Sequence, residues 1–213
     1  MQLYGYYRSS ASYRIRIILN LKEIEWDYEA VRLDRGEQRE PGFLAQNPSG
    51  LVPVLQDGDT RIAQSAAIAE YLEETHPRPA LLPGVPAARA AVREMMAVIG
   101  CDIHPLQNLR VLNRVRDDLG GGDAGVRRWI HHWIGAGFGA FEALLERHGS
   151  DGRHSFGGTI TLADAWLVPQ VYNARRHELD LAPYPLIRSV DAYCRELPAF
   201  AAAAPARQPD APA

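Results

Sequence analysis

The chain has 213 residues, of which 46% are hydrophobic and 23% charged, and its formal net charge is -3 at pH 7. This length is enough to bury a core in one large domain or two small ones, and the composition is that of a globular protein. The small negative charge excludes an overall basic field that would attract nucleic acid.

The cysteines and the amino-terminal sequence indicate a cytoplasmic protein. Cys101 and Cys194 lie far apart and form no C-x-x-C pair, which excludes a disulfide framework and favours a reducing compartment. The first residues show no basic region followed by an apolar one, and no apolar run approaches membrane-spanning length. We therefore expect neither a signal peptide nor a membrane segment. The histidines show no zinc-ligand spacing, so we expect no metal.

The first eighty residues alternate between strand and helix patterns. Apolar spacing and turn residues predict the order β-α-β-α-β-β-α, with elements at residues 3–7, 12–22, 26–33, 41–46, 51–55, 60–63 and 66–74. Asn47-Pro48-Ser49-Gly50 is a strong turn cluster, and Ser65 is predicted to be the N-cap of the last helix. A βαβ half followed by a ββα half is typical of a thioredoxin-like domain, which we assign to residues 1–80.

Strand patterns stop at a proline-rich stretch, residues 77–86, which we interpret as a linker. From residue 87 to 213 the sequence predicts an all-helical domain. Long helices are expected over 88–116 and 126–147, a buried helix from a capping box at Thr161 through Val171, and a last helix over 183–197. The tail from Ala201 is rich in alanine and proline and is predicted to pack loosely. The expected fold class is an α/β thioredoxin-like N-terminal domain followed by an all-α C-terminal domain.

Three serines lie at the junction between the first predicted strand and the first predicted helix. Ser9, Ser10 and Ser12 lie at a helix start, where unpaired N–H groups and the helix dipole favour an anion and stabilise a thiolate. Helix capping alone would explain one hydroxyl and leave two. Because no cysteine lies here, a thiolate at this place must come from a bound small molecule.

Two further features point to the same place. A proline interrupts an apolar strand at Val52-Pro53, and a cis bond there would turn the backbone of Val52 towards an extended peptide, whereas an ordinary edge proline would not. Gln64-Ser65 opens a helix, where the serine either caps the helix or binds a carboxylate. In a thioredoxin-like fold these positions converge with Ser9 at one edge of the sheet, and together they suit a small peptide that has a thiol.

Arg8, Arg110 and Arg176 are the candidate groups for substrate carboxylates, because a guanidinium binds a carboxylate through two hydrogen bonds. Their spacing alone does not distinguish this role from that of solvated surface arginines. Among the histidines, only His104 is a candidate for ligand contact.

The chain resembles the zeta class of glutathione transferases, whose helix-start motif has the form S-S-C-S-x-R-x-R-I-A-L. Residues 9–19 read SSASYRIRIIL, and the resemblance extends over nearly the whole chain through AQNPSGLVPVL (45–55), QSAAIAEYLEETHP (64–77), PLQNLRVL (105–112), TLADAWLVPQV (161–171) and RQPD (207–210). Ala11 stands where the class motif has cysteine. The class includes maleylacetoacetate and maleylpyruvate isomerases, and the IHP sequence at 103–105, Arg110 and the NARR sequence at 173–176 look closer to the latter.

The resemblance implies the glutathione transferase fold, glutathione as cofactor and a homodimer. It implies that Ser9 binds the glutathione sulfur with support from Ser10 and Ser12, and that Val52 pairs with the cysteinyl backbone. The γ-glutamyl end would be bound by Gln64 and Ser65. The remaining cofactor contacts would be Ala11, Gln38, Pro53, His104 and Asn108, and the substrate contacts Arg8, Arg110 and Arg176.

The reaction implied by the resemblance is cis–trans isomerisation of a maleyl dicarboxylate. The thiolate would add to the double bond, permit rotation about the resulting single bond and leave, which yields the fumaryl isomer and regenerates glutathione. Two other functions stay open: a transferase or dehalogenase acting on small electrophiles, and a non-catalytic binding module. The sequence also leaves open whether the substrate is maleylpyruvate or maleylacetoacetate.

Overall fold

A computed structural model of the protein describes residues 1–212. Contacts divide the chain into two compact units, of which the first comprises Met1–Leu81 together with the chain from Glu196 onward and the second comprises Leu82–Arg195. The boundary between residues 81 and 82 lies inside the stretch predicted as the linker. Across residues 1–212, every helix is either too short or too polar to pass through a bilayer.

The first unit has the thioredoxin-like element order that the sequence predicts. Its elements are β1 Gln2–Gly5, α1 Ser10–Leu21, β2 Asp27–Ala30, α2 Pro41–Leu44, β3 Val54–Asp57, β4 Thr60–Ala63 and α3 Ser65–Thr75. The sheet order is β2-β1-β3-β4. The β1–β2 pair is parallel, whereas the β1–β3 and β3–β4 pairs are antiparallel.

Helix α1 is the most deeply buried helix of the first unit. Its apolar residues with no exposed surface are Ile15, Ile17, Ile18 and Leu19. Burial of each such side chain stabilises the fold by about 1.5–3 kcal/mol. The arginines between and beside them, Arg14 and Arg16, are buried as well. A helix enclosed in this way holds its N-terminus in a fixed place.

The tail of the chain packs on α1. It forms α9, Pro198–Ala203, and a 3-10 turn, Pro205–Arg207. Phe200 and Ala203 are buried, and the Asn20 amide donates to the Ala199 carbonyl at 3.0 Å. The prediction of a loose tail is therefore wrong, and so is the assignment of residues from 196 onward to the helical domain. The burial of Phe200 and Ala203 is a tertiary effect, which an alanine- and proline-rich composition alone does not reveal.

The second unit is helical, but its first long helix is interrupted. Its helices are α4 Pro86–Ala97, α5 Leu109–Asn113, α6 Gly122–Arg147, α7 Leu162–Arg176 and α8 Pro185–Glu196. The single helix predicted over 88–116 is wrong, because a π-helical turn over Val98–Ile103 and a 3-10 turn over His104–Gln107 separate α4 from α5. Pro105 accounts for the break, since it has no N–H and its ring obstructs the carbonyl four residues earlier.

The capping box at the start of α7 confirms the sequence prediction. The Thr161 side chain accepts from the backbone N–H of Asp164, and the Asp164 carboxylate accepts from the backbone N–H of Thr161. Asp164 also accepts from the Ser155 N–H at 2.6 Å, and burial raises the pKa of this carboxyl group. The helix continues to Arg176, five residues beyond the predicted end at Val171, so that Arg176 lies in its last turn.

Lys22, at the C-terminal end of α1, binds residues in α3 and in the segment that follows it. Its ammonium lies 2.6 Å from a Glu73 carboxylate oxygen and donates to the carbonyls of His76 and Pro79 at 2.7 and 3.0 Å. The Lys22 side chain has no exposed surface. A buried ammonium with three oxygen partners has all of its donors satisfied, which is the condition for burying a charge without a large penalty.

Candidate functional site

One end of the sheet gathers the three sequence features that were predicted to converge. Tyr4 of β1 pairs with Val54 of β3, which pairs in turn with Ala63 of β4. Strand β1 ends one residue beyond this row, β4 ends at it, and β3 begins at it. The segments that contain Ser9, Val52 and Ser65 therefore leave the sheet at the same end.

Ser9 is the N-cap of α1. Its backbone is extended, and its Oγ accepts from the Ser12 N–H at 3.2 Å. A hydroxyl that accepts in this way keeps its own proton available for donation. The first turn of α1 contains no acidic residue, so nothing within it offsets the positive end of the helix dipole. The half-buried Ser9 hydroxyl is therefore suited to donate to a bound anion.

The other residues of the helix start are less exposed than Ser9. Ser10 and Ala11 are buried with 8% and 7% of their surface exposed, whereas Ser12 has none. The Ser12 Oγ instead accepts from the Tyr6 N–H at 3.5 Å, on the inner side of the loop. Ser12 therefore has no surface for a ligand, and its catalytic role can only be indirect, through the shape of the loop.

Arg8 is exposed beside two tyrosines that precede it. Its guanidinium carbon lies 6.0 Å from the centre of the Tyr6 ring and 5.9 Å from that of Tyr7. Contact with aromatic faces orients a guanidinium without using its N–H donors. Burial and a hydrogen bond with Tyr7 raise the pKa of Tyr6 to about 12, against the opposing charge of Arg8. Tyr6 is thus a neutral phenol at physiological pH.

The Val52-Pro53 peptide bond is cis. The strand predicted over 51–55 begins only at Val54. The Leu51 carbonyl accepts a hydrogen bond from the Asn47 side-chain amide at 2.7 Å. Among residues 1–212, no backbone hydrogen bond involves Val52, which is half-buried. A half-buried residue with unpaired N–H and C=O groups at a sheet end is suited to bind an extended peptide. Pro53 itself is buried.

Gln64 and Ser65 open α3 in a different arrangement from the predicted one. Gln64 is the N-cap, with a φ of 75°, and Ser65 is the first helical residue. The left-handed φ of a residue with a side chain is a strained conformation of the kind found at functional sites. The buried Ser65 hydroxyl accepts from Arg14 Nη1 at 3.1 Å. Sequence reasoning missed Arg14, although its place in the helix-start motif, one turn beyond Ser10, was visible.

Gln38 lies in a 3-10 turn, Glu37–Arg39. Its side-chain Oε1 is shielded from solvent and has no hydrogen-bond partner within residues 1–212. Gly50, with a φ of +62°, approaches the Gln38 carbonyl so closely that a Cβ would lie 3.1 Å from it. The Gln38 turn therefore packs against the chain that leads to Val52.

The second unit contains a separate group of polar side chains around Arg176. Arg176 Nη2 donates to Asn173 Oδ1 at 2.8 Å, and the Asn173 amide donates to Gln107 Oε1 at 2.5 Å. Gln107 ends the turn that begins at His104 and precedes Asn108, the N-cap of α5. This chain of amides thus joins the His104–Asn108 segment to Arg176.

Arg110 and Arg176 are both exposed, whereas the arginine next to Arg176 is a structural residue. Arg175 Nη2 lies 2.6 Å from Oδ2 of Asp191, and Arg195 Nε lies 3.0 Å from the same oxygen. The Asp191 side chain has no exposed surface. Sequence reasoning missed the roles of Gln107 and Asn173. Asn173 lies one turn before Arg176 on the same helix face, and that spacing could have indicated it.

The site and fold match known proteins. Residues 8–75 match the family model "Glutathione S-transferase, N-terminal domain". A maleylpyruvate isomerase from Ralstonia sp. is 52% identical over 99% of each chain. The holo structure of a maleylpyruvate isomerase, described as a bacterial zeta-class glutathione S-transferase, superposes with a TM-score of 0.97 at 51% identity and covers both chains fully.

A further solved structure shows what one relative binds. The maleylacetoacetate isomerase of Anaeromyxobacter dehalogenans 2CP-1, crystallised with dicarboxyethyl glutathione and citrate in its active site, is 45% identical with a TM-score of 0.87, over 99% of this chain and 93% of its own. The fold, the helix-start site and these matches show that the chain belongs to the glutathione transferase family. It belongs to the zeta class of that family, which confirms the resemblance seen in its motifs.

Proposed function

We propose that this protein is a glutathione-dependent cis–trans isomerase that converts a maleyl dicarboxylate, maleylpyruvate or maleylacetoacetate, to its fumaryl isomer. The observation that carries the proposal is the sheet register, which brings the hydroxyl of Ser9, the open backbone of Val52 and the start of α3 to one end of the sheet. The isomerase relatives, and the relative with a dicarboxyethyl derivative of glutathione in its active site, support it.

The described residues fit glutathione. The Ser9 hydroxyl and the N-terminus of α1 suit the sulfur, and the unpaired backbone groups of Val52, next to Pro53, suit the cysteinyl residue. The N-terminus of α3 at Gln64 and Ser65 suits the γ-glutamyl carboxylate. Remaining contacts are proposed for Ser10, Ala11, Gln38, His104 and Asn108. The shielded, partnerless Oε1 of Gln38 is an acceptor that a ligand donor would satisfy.

Ser9 has the central chemical role in this proposal. Glutathione, when bound, supplies a thiolate that adds reversibly to a double bond and so permits rotation about it. The Ser9 hydroxyl would donate a hydrogen bond to the sulfur while its own oxygen accepts from the Ser12 N–H, and the α1 dipole would add to the stabilisation of the anion. Both effects favour the thiolate over the thiol at neutral pH.

The arginines bind the substrate carboxylates. Arg8, Arg110 and Arg176 are exposed, and Arg8 and Arg176 are oriented by neighbours, the two tyrosine rings and Asn173 respectively. A guanidinium held in one orientation can form two parallel hydrogen bonds to a carboxylate and stabilise negative charge that develops beside it. Apolar electrophiles would have no use for such groups, which favours the isomerase over a general transferase.

Isomerase assays with substoichiometric glutathione test the proposal. Maleylpyruvate and maleylacetoacetate are each incubated with the protein, and both product and free glutathione are followed by NMR. We expect many equivalents of fumaryl product with glutathione fully recovered, and the ratio of the two kcat/KM values identifies the substrate. Consumption of one glutathione per product, with rapid conjugation of chlorodinitrobenzene, would instead show a transferase. A protein that does not bind glutathione resin would contradict both functions.

We also propose that the protein is a cytoplasmic homodimer. Both cysteines are free thiols in the structure, which suits a reducing compartment. The dimer is proposed from the family resemblance. Sedimentation equilibrium at several concentrations tests it, and a single species of 23.6 kDa would contradict it.

A further inference from the structure

The loop between β1 and Ser9 has every backbone group of its first two residues engaged. The Tyr6 N–H donates to Ser12 Oγ, and the Tyr6 carbonyl accepts from the Ser9 N–H at 3.0 Å and from Arg16 at 3.4 Å. The Tyr7 carbonyl accepts from Arg16 Nη2 at 2.9 Å, and the Tyr7 N–H donates to Asp210 at 2.9 Å. The position of Ser9 is thus set by groups outside the loop.

Three side chains outside the loop make these contacts, and two of them, Arg16 and Asp210, involve the tail. Arg16 is fully buried on α1, and its Nε donates to the Ala203 carbonyl at 3.0 Å. Asp210 lies 203 positions after Tyr7, in the RQPD sequence, to which the proposed function assigns no role. Arg16 and Asp210 therefore bind the carbonyl and the N–H of the same residue, Tyr7.

We propose that Asp210 is a positioning residue for the sulfur site. Its carboxylate accepts a hydrogen bond from the Tyr7 N–H and so determines the positions of Arg8 and of the Ser9 hydroxyl. This inference rests on the proposed function of Ser9, which it deepens by naming the group that holds the loop in place. A charge-assisted hydrogen bond from a backbone N–H to a carboxylate is about twice as strong as a neutral one.

A positioning role differs from a purely stabilising one in its kinetic effect. Displacing Ser9 moves the donor away from the sulfur but leaves the Val52 and Ser65 contacts with the rest of glutathione unchanged. Loss of Asp210 should therefore lower kcat and leave glutathione affinity nearly constant. A tail that only stabilised the fold would change the melting temperature without separating kcat from affinity.

The experiment compares Asp210→Ala and Asp210→Asn with a matched control, Asp57→Asn. Asp57 is an aspartate of the same unit that accepts from the Tyr71 hydroxyl at 2.8 Å and does not contact the loop. Asp210→Ala should lower kcat about tenfold, since small misplacements of a reacting group cost this much or more. It should also lower the thiolate absorbance of bound glutathione. Asp210→Asn, which keeps an acceptor, should recover most of the activity, and Asp57→Asn should equal the parent.

Hydrogen–deuterium exchange of the glutathione-free protein provides a readout that does not depend on activity. In Asp210→Ala the amides of residues 7–9 should exchange faster, while those of α3 stay protected. If Asp210→Ala does not fold, Asp210→Glu replaces it, because the longer side chain should displace the loop and give a smaller loss of kcat. Unchanged kcat, thiolate absorbance and exchange in Asp210→Ala, or in Asp210→Glu where it replaces Asp210→Ala, would overturn the inference. An inactive parent protein with no thiolate absorbance would instead contradict the proposed function.

Discussion

Arg14 Nη1 donates to Ser65 Oγ at 3.1 Å, and both residues are buried. The bond joins α1, whose start is proposed to bind the glutathione sulfur, to the start of α3, which is proposed to bind the γ-glutamyl carboxylate. It fixes the orientation of the Ser65 hydroxyl and places a guanidinium charge next to a helix N-terminus. Both effects favour a carboxylate there.

Substitution of Ser65 and Arg14 should weaken glutathione binding through one shared interaction. Ser65→Ala removes a hydrogen bond to a charged ligand group and should raise the dissociation constant about tenfold. Arg14→Met, of similar volume, should have an effect of the same order, and the double variant should be little worse than either single one. Calorimetric titration measures the three constants. Fully additive effects would contradict the shared role, and Arg14→Lys serves as the control that keeps the charge.

Loss of the Ser9 hydroxyl should impair the chemical step. Ser9→Ala removes the donor aimed at the sulfur and should lower kcat about a hundredfold, the usual cost of losing one such donor. The ultraviolet absorbance of the bound thiolate should titrate at higher pH than in the parent. Ser12→Ala is the matched comparison, because the buried Ser12 should affect stability, by about 1–3 kcal/mol, more than thiol ionisation. Equal titration curves for Ser9→Ala and the parent would exclude Ser9 from the mechanism.

Substitution of the adjacent arginines Arg175 and Arg176 of α7 should affect different quantities, the free energy of unfolding and the substrate KM respectively. Arg176→Ala removes a carboxylate partner and should raise KM for the maleyl substrate at least tenfold without altering the melting temperature. Arg175→Ala leaves the buried Asp191 with Arg195 alone and should lower the free energy of unfolding by about 1–3 kcal/mol, with KM unchanged. Steady-state kinetics and urea unfolding measure the pair. Unchanged kcat and KM in Arg176→Ala would remove this residue from the substrate site.

The two cysteines should differ sharply in reactivity. Cys101 is exposed, whereas burial raises the pKa of the Cys194 thiol far above its usual range. A thiol reacts as its thiolate, so at pH 8 Cys194 should stay unmodified. Ellman titration should find one thiol in the native protein and two in guanidinium chloride. Activity should survive modification of Cys101, which has no part in the proposed site.

The sequence predicted the first unit well because its turns are local. Asn47-Pro48-Ser49-Gly50 closes the α2 segment, and Gly58, with a φ of 54°, forms the turn between β3 and β4. Strand β4 spans the predicted residues 60–63. Two errors in the extent of predicted elements fall at prolines, Pro53 and Pro105. The strand predicted over 51–55 loses its first three residues, and the 88–116 helix breaks at Pro105, whose effect the sequence analysis did not apply.

The candidate site was predicted only as far as the features were local. Helix-start serines, an X-Pro pair and a serine opening a helix are each visible within a few residues. Arg14 with Ser65, and Gln107 with Asn173, are pairs separated by 51 and 66 positions, which no periodicity reports. The tail is the extreme case, because its alanine- and proline-rich sequence does not indicate that a carbonyl binds Arg16 of α1 or that a carboxylate binds the loop before Ser9.

The burial of Lys22 has a practical consequence. It is the single lysine of the chain, and its amine is enclosed by Glu73 and two carbonyls. Acylating reagents that label lysine should leave the side chains of the native protein untouched. Attachment of a fluorophore or a solid support through a side chain is therefore best directed to the exposed Cys101, where the coupling would be confined to one known position.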